Sequence, residues 1–126
     1  MLYRNYIYIA GPYKGINAHN AQDYLEIEQN ILNAKKVMKE LVELGYGVFC
    51  PHTHSAHFEV ISPKVLSDYW YEIDLYFLTF CDGLLRLPGA SKGADKEVEK
   101  CKEWNILVFD SILELLKELP PYKLDD

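Results

Sequence analysis

Glu97 and Asp74 are the charges in this chain whose positions most call for chemistry. Helical periodicity begins near Ala94, after Pro88-Gly89-Ala90-Ser91, with Ser91 placed as N-cap and acidic Asp95 and Glu97 in the first turns. At ~100° per residue, Ala94, Glu97, Val98, Cys101 and Trp104 share an arc of roughly 120°, and every other charge of the helix falls outside it. Glu97 is thus the one charge on the apolar stripe. A half-buried carboxylate costs free energy unless it is paired or used. It either caps a neighbouring backbone or pairs with an arginine, or it belongs to a site. Asp74 occupies a comparable position, on the boundary between two apolar patches of an aromatic helix.

His52-Thr53-His54-Ser55-Ala56-His57 places three histidines in six residues. Such spacings resemble the ligand runs of some zinc hydrolases, but those sites draw further His or Asp ligands from elsewhere, and His19 is the only other histidine. The reading preferred is a loop after a strand that lines a pocket, with one histidine, His52, bonding a ligand; a metal-dependent hydrolase using His52, His54 and His57 is the alternative. No metal and no cofactor is assigned.

The chain has 126 residues, which suits a single domain spanning 1–126. Its net charge of -6 argues against a nucleic-acid partner, because phosphate contacts need clustered Lys or Arg. A small ligand stays compatible. Cys50, Cys81 and Cys101 are odd in number, widely spaced and in apolar settings, as reduced core thiols of a cytoplasmic protein would be. With no run of 18 apolar residues and no charged-then-apolar leader, neither export nor a membrane partner is expected.

The elements that must position these groups follow in order. Tyr3 to Ala10 is β-branched and aromatic and stops at Gly11-Pro12, as a first strand would. A loop from Tyr13 to Asn20, with Gly15 and Asn17, leads to a helix over about 22–44 in which Ile27, Ile31, Ala34, Met38 and Leu41 repeat at helical spacing. Tyr46 to Cys50 is a second strand closed by Pro51. Ser62-Pro63 is read as a helix start, with Ser as N-cap. Over Val65 to Phe80, a wide arc (Val65, Leu66, Tyr69, Trp70, Ile73, Tyr76, Phe77, Phe80) is assigned to the sheet, and a second patch (Tyr71, Leu75, Leu78) lies beyond Asp74. Leu84 to Leu87 is a third strand, Ile106 to Phe109 a fourth, and Ser111 caps a last helix ended by Pro120-Pro121, with a frayed tail from Tyr122 to Asp126.

Alternating strands and helices imply a doubly wound, flavodoxin- or Rossmann-like α/β fold: a parallel sheet of four to five strands in order 2-1-3-4 with helices on both faces. Ligands of such folds bind beyond the carboxyl ends of the strands, here Gly11-Pro12-Tyr13, His52 to His57 and Pro88 to Gly93.

Ile7-Tyr8-Ile9-Ala10-Gly11-Pro12-Tyr13, the strand before Pro51, Asp74 ahead of an aromatic Cys-Asp stretch, and Pro88-Gly89-x-Ser91-x-Gly93-x-x-x-Glu97 resemble the nucleoside 2-deoxyribosyltransferase superfamily over roughly 6–109. The resemblance implies cleavage or transfer at the N-glycosidic bond of nucleosides, deoxynucleosides or their 5'-monophosphates. It makes Glu97 the nucleophile at the anomeric carbon, Tyr8 the residue that orients it, and Asp74 an acid near the leaving base. Gly11, Pro12, Tyr13, His52, Ser91, Gly93 and Ala94 then surround the substrate, with the Ser91, Gly93 and Ala94 amides suited to a 5'-phosphate. Serine at 91, where transferases of free nucleosides often carry aspartate, tilts the reading to monophosphates and hydrolysis. The short C-terminus, lacking the segment that completes a neighbour's site in the transferases, departs from them too. The Pro-Gly loop before a helical glutamate is also similar to that of phosphoribohydrolases that release cytokinin bases. A non-catalytic nucleotide-binding or sensing module is the alternative from another class. A homodimer or higher homo-oligomer through helix 62–80 is expected, because the Tyr71, Leu75 and Leu78 patch needs a second cover.

Overall fold

The computed structural model describes residues 2–14 and 21–124. The expected loop residues Gly15, Asn17 and Asn20, with His19, lie outside the described residues, as do Asp125 and Asp126. In chain order the elements are β1 (Leu2–Arg4), β2 (Tyr6–Ala10), α1 (Ala21–Leu44), β3 (Gly47–Phe49), α2 (Pro51–His54), α3 (Phe58–Ile61), α4 (Ser67–Leu78), β4 (Gly83–Arg86), α5 (Lys92–Glu103), β5 (Leu107–Phe109), α6 (Ile112–Glu118) and β6 (Tyr122–Leu124).

Strands β3, β2, β4 and β5 form a parallel sheet in that order. Counted from β2, this is the 2-1-3-4 order read from the sequence. Side chains alternate across a strand, so β2 serves two cores. Ile7 and Ile9 join Leu85 and Phe109 under α1 and α6, packed by Ala34, Leu41 and Leu115. Tyr8 and Ala10 join Leu84 on the opposite face, covered by Leu78 of α4 and by Ala94 and Cys101 of α5. The α1 stripe lies as its spacing predicts, with Ile27, Ile31, Ala34 and Leu41 buried. Ser91 and Ser111 accept hydrogen bonds from the Ala94 and Glu114 amides at 3.1 and 3.2 Å, and so cap α5 and α6. Cys50, Cys81 and Cys101 are free. Among the described residues no helix is long and apolar enough to cross a membrane.

Four expectations are corrected. The first strand is broken at Asn5: the residues before it, β1, pair antiparallel with β6, so Tyr122–Leu124 of the expected frayed tail is a strand. Asn5 is the reason: wholly buried, it donates from Nδ2 to the Pro120 carbonyl (2.6 Å) and from its amide to the Pro121 carbonyl (3.0 Å). Tyr46 Oη adds a bond to the Leu119 carbonyl at 2.7 Å. The histidine run is helical over its first half, His52 to His54, because Pro51 at the first helical position pre-sets φ for α2, while Ser55 to His57 form the turn between α2 and α3. Ser62-Pro63 does not start the aromatic helix. Ser62 ends α3, Val65 N–H closes a turn onto the Ser62 carbonyl with Pro63 inside it, and α4 begins at Ser67.

The fourth concerns the two arcs of α4, which are reversed. Leu78, Asp74 and Leu75 face the sheet, while Leu66, Tyr69, Tyr76, Phe77 and Phe80 are exposed. The face is already filled by Tyr8 with Phe49 beside it (centroids 5.6 Å), and it takes the narrower patch. Of the wide arc, Trp70 packs against Phe58 of α3 (4.9 Å), and Phe77 alone reaches the sheet, stacked on Phe49 of β3 (4.7 Å).

Asn5→Ala leaves the Pro120 carbonyl without its donor inside the protein. Urea denaturation is expected to show a loss of about 1–3 kcal/mol with an unchanged slope, the signature of lost stability without a change in compactness.

Candidate functional site

Parallel strands end together, and a helix that follows one of them starts at the same edge and runs back over the sheet. From the α5 start at Lys92, Glu97 lies about 7.5 Å down the axis, at ~1.5 Å per residue. Tyr8 lies about 6.6 Å back from the end of β2 at Ala10, at ~3.3 Å per residue. The two side chains therefore arrive level, on the same face, and Tyr8 Oη donates a hydrogen bond to Glu97 Oε2. Asp74 reaches them from α4, one turn before the buried Leu78. Tyr8 is 0% exposed, Glu97 8% and Asp74 9%. The three residues assigned to chemistry are brought together.

Burial sets their electrostatics. It raises the Glu97 carboxyl from 4.5 to about 7, with Asp74 pushing the same way and the Tyr8 hydrogen bond and Arg86 opposing. Burial alone raises Asp74 to about 7, and its Oδ1 has no hydrogen-bond partner among the described residues. Two carboxyl groups in one dry site with similar affinities titrate as a pair, so near neutrality the pair holds about one proton. Burial, then Glu97 and Asp74, drive the Tyr8 phenol far above its ordinary range, so it stays a donor.

The residues expected to line the substrate divide. His52 Nε2–H donates to the Pro12 carbonyl at 2.7 Å, its Nδ1 lies 4.0 Å from Cys50 Sγ, and burial lowers its pKa. It is a neutral brace between α2 and the loop after β2 and not an open ligand contact. Tyr13 Oη donates to the Glu59 carboxylate and accepts from the His57 amide (2.8 Å), so it too holds structure. Gly11 and Gly89 let the loops after β2 and β4 meet: a Cβ on Gly11 would stand 2.8 Å from Leu87 Cβ, and one on Gly89 (φ +112) 2.8 Å from Pro12 Cγ. Of the three amides assigned to a phosphate, that of Ala94 is already engaged by Ser91 Oγ, and the Ser91 carbonyl takes the Asp95 amide. The cap leaves aside Lys92 and Gly93, and a Cβ on Gly93 would meet nothing within 4 Å.

The three histidines of the run diverge. His52 turns to Pro12, His54 stands between Phe49 (5.4 Å) and Phe77 (5.9 Å), and His57 Nε2 meets Glu28 at 2.8 Å. Among the described residues no group of three His, Cys, Asp or Glu is disposed to hold a metal. Two groups at the site were not singled out from sequence. Phe77 stacks on Phe49 of β3, whose ring packs tilted beside Tyr8, the one point at which the wide arc of α4 reaches the sheet as expected. Arg86 had a visible signal, a charge inside an apolar strand. A concavity of about 360 Å³ lies on α5 (Tyr71, Lys96, Glu99, Lys100, Glu103) and one of about 370 Å³ beyond the ends of β4 and β5 (Arg86 to Gly89, Asp110), and the Tyr8, Glu97 and Asp74 group lines neither.

A carboxyl group whose folded pKa is raised contributes stability below its unfolded pKa and loses it as pH rises through the folded value. Glu97→Gln, whose amide oxygen still accepts from Tyr8, is therefore expected to stabilise the fold by on the order of 1–3 kcal/mol at pH 8. The gain should vanish by about pH 4, below the 4.5 of an unburied glutamate. Thermal melts of both proteins across that range check it.

No family model matches the chain, and no curated protein matches it. Seven chains of solved structures do. One is a 2-deoxyribosyltransferase from the psychrotolerant bacterium Bacillus psychrosaccharolyticus, with 18% identity, 90% of this chain and 82% of that chain covered, and a TM-score of 0.50. At that identity the likeness concerns the fold. The chain has the nucleoside 2-deoxyribosyltransferase-like fold, with Tyr8, Asp74 and Glu97 gathered beside its sheet.

Proposed function

We propose that this protein is an enzyme acting at the N-glycosidic bond of nucleosides, deoxynucleosides or their 5'-monophosphates, with Glu97 as nucleophile. The observation that carries the reading is the buried Tyr8–Glu97 hydrogen bond with Asp74 beside it. The fold shared with a 2-deoxyribosyltransferase supports it. Glu97 as carboxylate attacks the anomeric carbon; the C–N bond breaks and its electron pair passes to the base nitrogen, which takes the proton from Asp74. The glycosyl ester on Glu97 then yields to water, or to a second base, with Asp74 accepting the proton of the attacking group. Tyr8 holds the rotamer of Glu97. The raised values of both carboxyl groups suit this division, since one must be ionised and the other protonated near neutrality. The Lys92 and Gly93 amides at the start of α5 are the groups for a 5'-phosphate.

The exposed aromatic arc of α4 is the partner surface. A second copy covers it best, because a two-fold axis lets one patch serve both chains. Tyr76 and Phe80, 64% and 65% exposed, form its centre, and Phe77 links it through Phe49 to Tyr8.

The first test incubates the protein with ribo- and deoxyribonucleosides and their 5'-monophosphates, with and without chelator, and measures free base. Base release insensitive to chelator, bell-shaped in pH around 7 and at least ~10³-fold lower in Glu97→Gln, is expected. Ligand-dependent thermal protection without base release would instead identify a binding module. In the second, light scattering should give twice the monomer mass for the wild type and the monomer mass for Phe80→Glu; a monomeric wild type ends the dimer.

A further inference from the structure

We infer that Arg86 is a positioning residue, clamping the backbone turn after β4 onto the first turn of α5 and so placing Ser91 to Gly93 and the Glu97 carboxylate against a substrate. The inference rests on the reading of Glu97 as nucleophile. Arg86 is the one charge within β4, in register with Ala10 of β2. Parity along the strand puts its side chain on the face of Leu84, which shares a core with Tyr8 and Ala94. From there the guanidinium donates to the Leu87 carbonyl, to the Gly89 carbonyl (3.0 Å) and to Asp95 Oδ1 (3.0 Å).

Those acceptors lie on both sides of the turn. Leu87 and Gly89 belong to the backbone leaving the strand, and Asp95 to the first turn of the helix. A guanidinium offers its donors in a rigid plane, so the three bonds together determine how the turn sits on the helix; an ammonium on a flexible stem does not. Gly89 also closes against Pro12, and through it Arg86 steadies the contact between the two loops at the edge of the sheet. The clamp is largely dry on one side only: the Arg86 side chain is 15% exposed and that of Asp95 is 70% exposed. Solvent screens Asp95 more than Arg86, which leaves a positive field on the face of Glu97. The groups acting on the Glu97 carboxyl are Tyr8 from β2, Asp74 from α4 and Arg86 from β4, and Arg86 is the cation among them.

The test compares Arg86→Gln, which removes charge and fork, with Arg86→Lys, which keeps the charge alone, and with Asp95→Asn, which loosens the clamp at an exposed position where folding is safe. The Glu97 titration is followed by carbon NMR of glutamate-labelled protein, assigned through Glu97→Gln, and exchange of the Ala94 and Asp95 amides, which bond Ser91 Oγ and the Ser91 carbonyl, reports the turn. Arg86→Gln should move the Glu97 titration, and the acid limb of base release, upward by roughly half a pH unit or more. Arg86→Lys should leave that titration in place. All three variants should speed amide exchange in the turn and raise KM about tenfold. A Glu97 titration unchanged in Arg86→Gln, or turn amides as protected in Arg86→Lys and Asp95→Asn as in the wild type, overturns the inference. If Arg86→Gln does not fold, the exchange rates of the other two decide it. Wild-type protein that releases no base from any substrate defeats the proposed reaction, while the NMR readouts still judge Arg86.

Discussion

A carboxylate taken out of water needs a donor at hand, and the bond from Tyr8 to Glu97 is the contact around which this molecule is arranged. Moving a glutamate from 4.5 to about 7 corresponds to roughly 3 kcal/mol at ~1.4 kcal/mol per unit, a large share of the stability of a small protein. The fold carries that cost with two opposing groups, a phenol that cannot ionise and the Arg86 cation, and adds to it by placing Asp74 nearby. An arrangement built for stability alone would have set an apolar residue at 97, as it did at Ala94 and Cys101 on the same stripe.

The geometry that makes the bond possible is a property of the parallel sheet. Strands β2 and β4 are neighbours in register, Tyr8 beside Leu84, and α5 returns antiparallel over them from the edge where both end. A residue five positions along the sheet-facing stripe of that helix meets the level of Tyr8, the third residue from the end of β2. The loops at that edge are held by close backbone approach at two glycines and by two side chains, Arg86 and His52, that bond loop carbonyls. Gly11 touches Leu87, Gly89 touches Pro12, and His52 bonds the Pro12 carbonyl. The loop carbonyls of Pro12, Leu87 and Gly89 at that edge are thus each met by a side chain of the protein itself.

The other face of the problem is α4, which must present Asp74 inward and yet carries more aromatic surface than one sheet can cover. It solves this by seating its narrow patch, Leu75 and Leu78 around Asp74, and by leaving the wide one to the ring cluster of Phe49, His54, Phe58, Trp70 and Phe77 and to the surface. Asp74 is therefore buried by the helix's own orientation. Its Oδ1, without a hydrogen-bond partner among the described residues, is what remains of that choice.

Local information was enough for much of this. The β-branched and aromatic run that stops at Gly11-Pro12, helical spacing in α1, the serine caps at Ser91 and Ser111 and the turn residues between them determined the elements and their doubly wound order, because each signal acts within a few residues of itself. The placement of Glu97 on its stripe was equally local, and so was its burial. What tertiary structure decided is every question of which of two candidates wins a shared space. The wide and narrow arcs of α4 are both apolar, and only the room left by Tyr8 and Phe49 selects between them. His52, His54 and His57 look alike in sequence, yet a carbonyl, a ring stack and a carboxylate draw them apart. Asn5 interrupts a strand because residues more than a hundred positions away supply the carbonyls it bonds, and no window along the chain contains both.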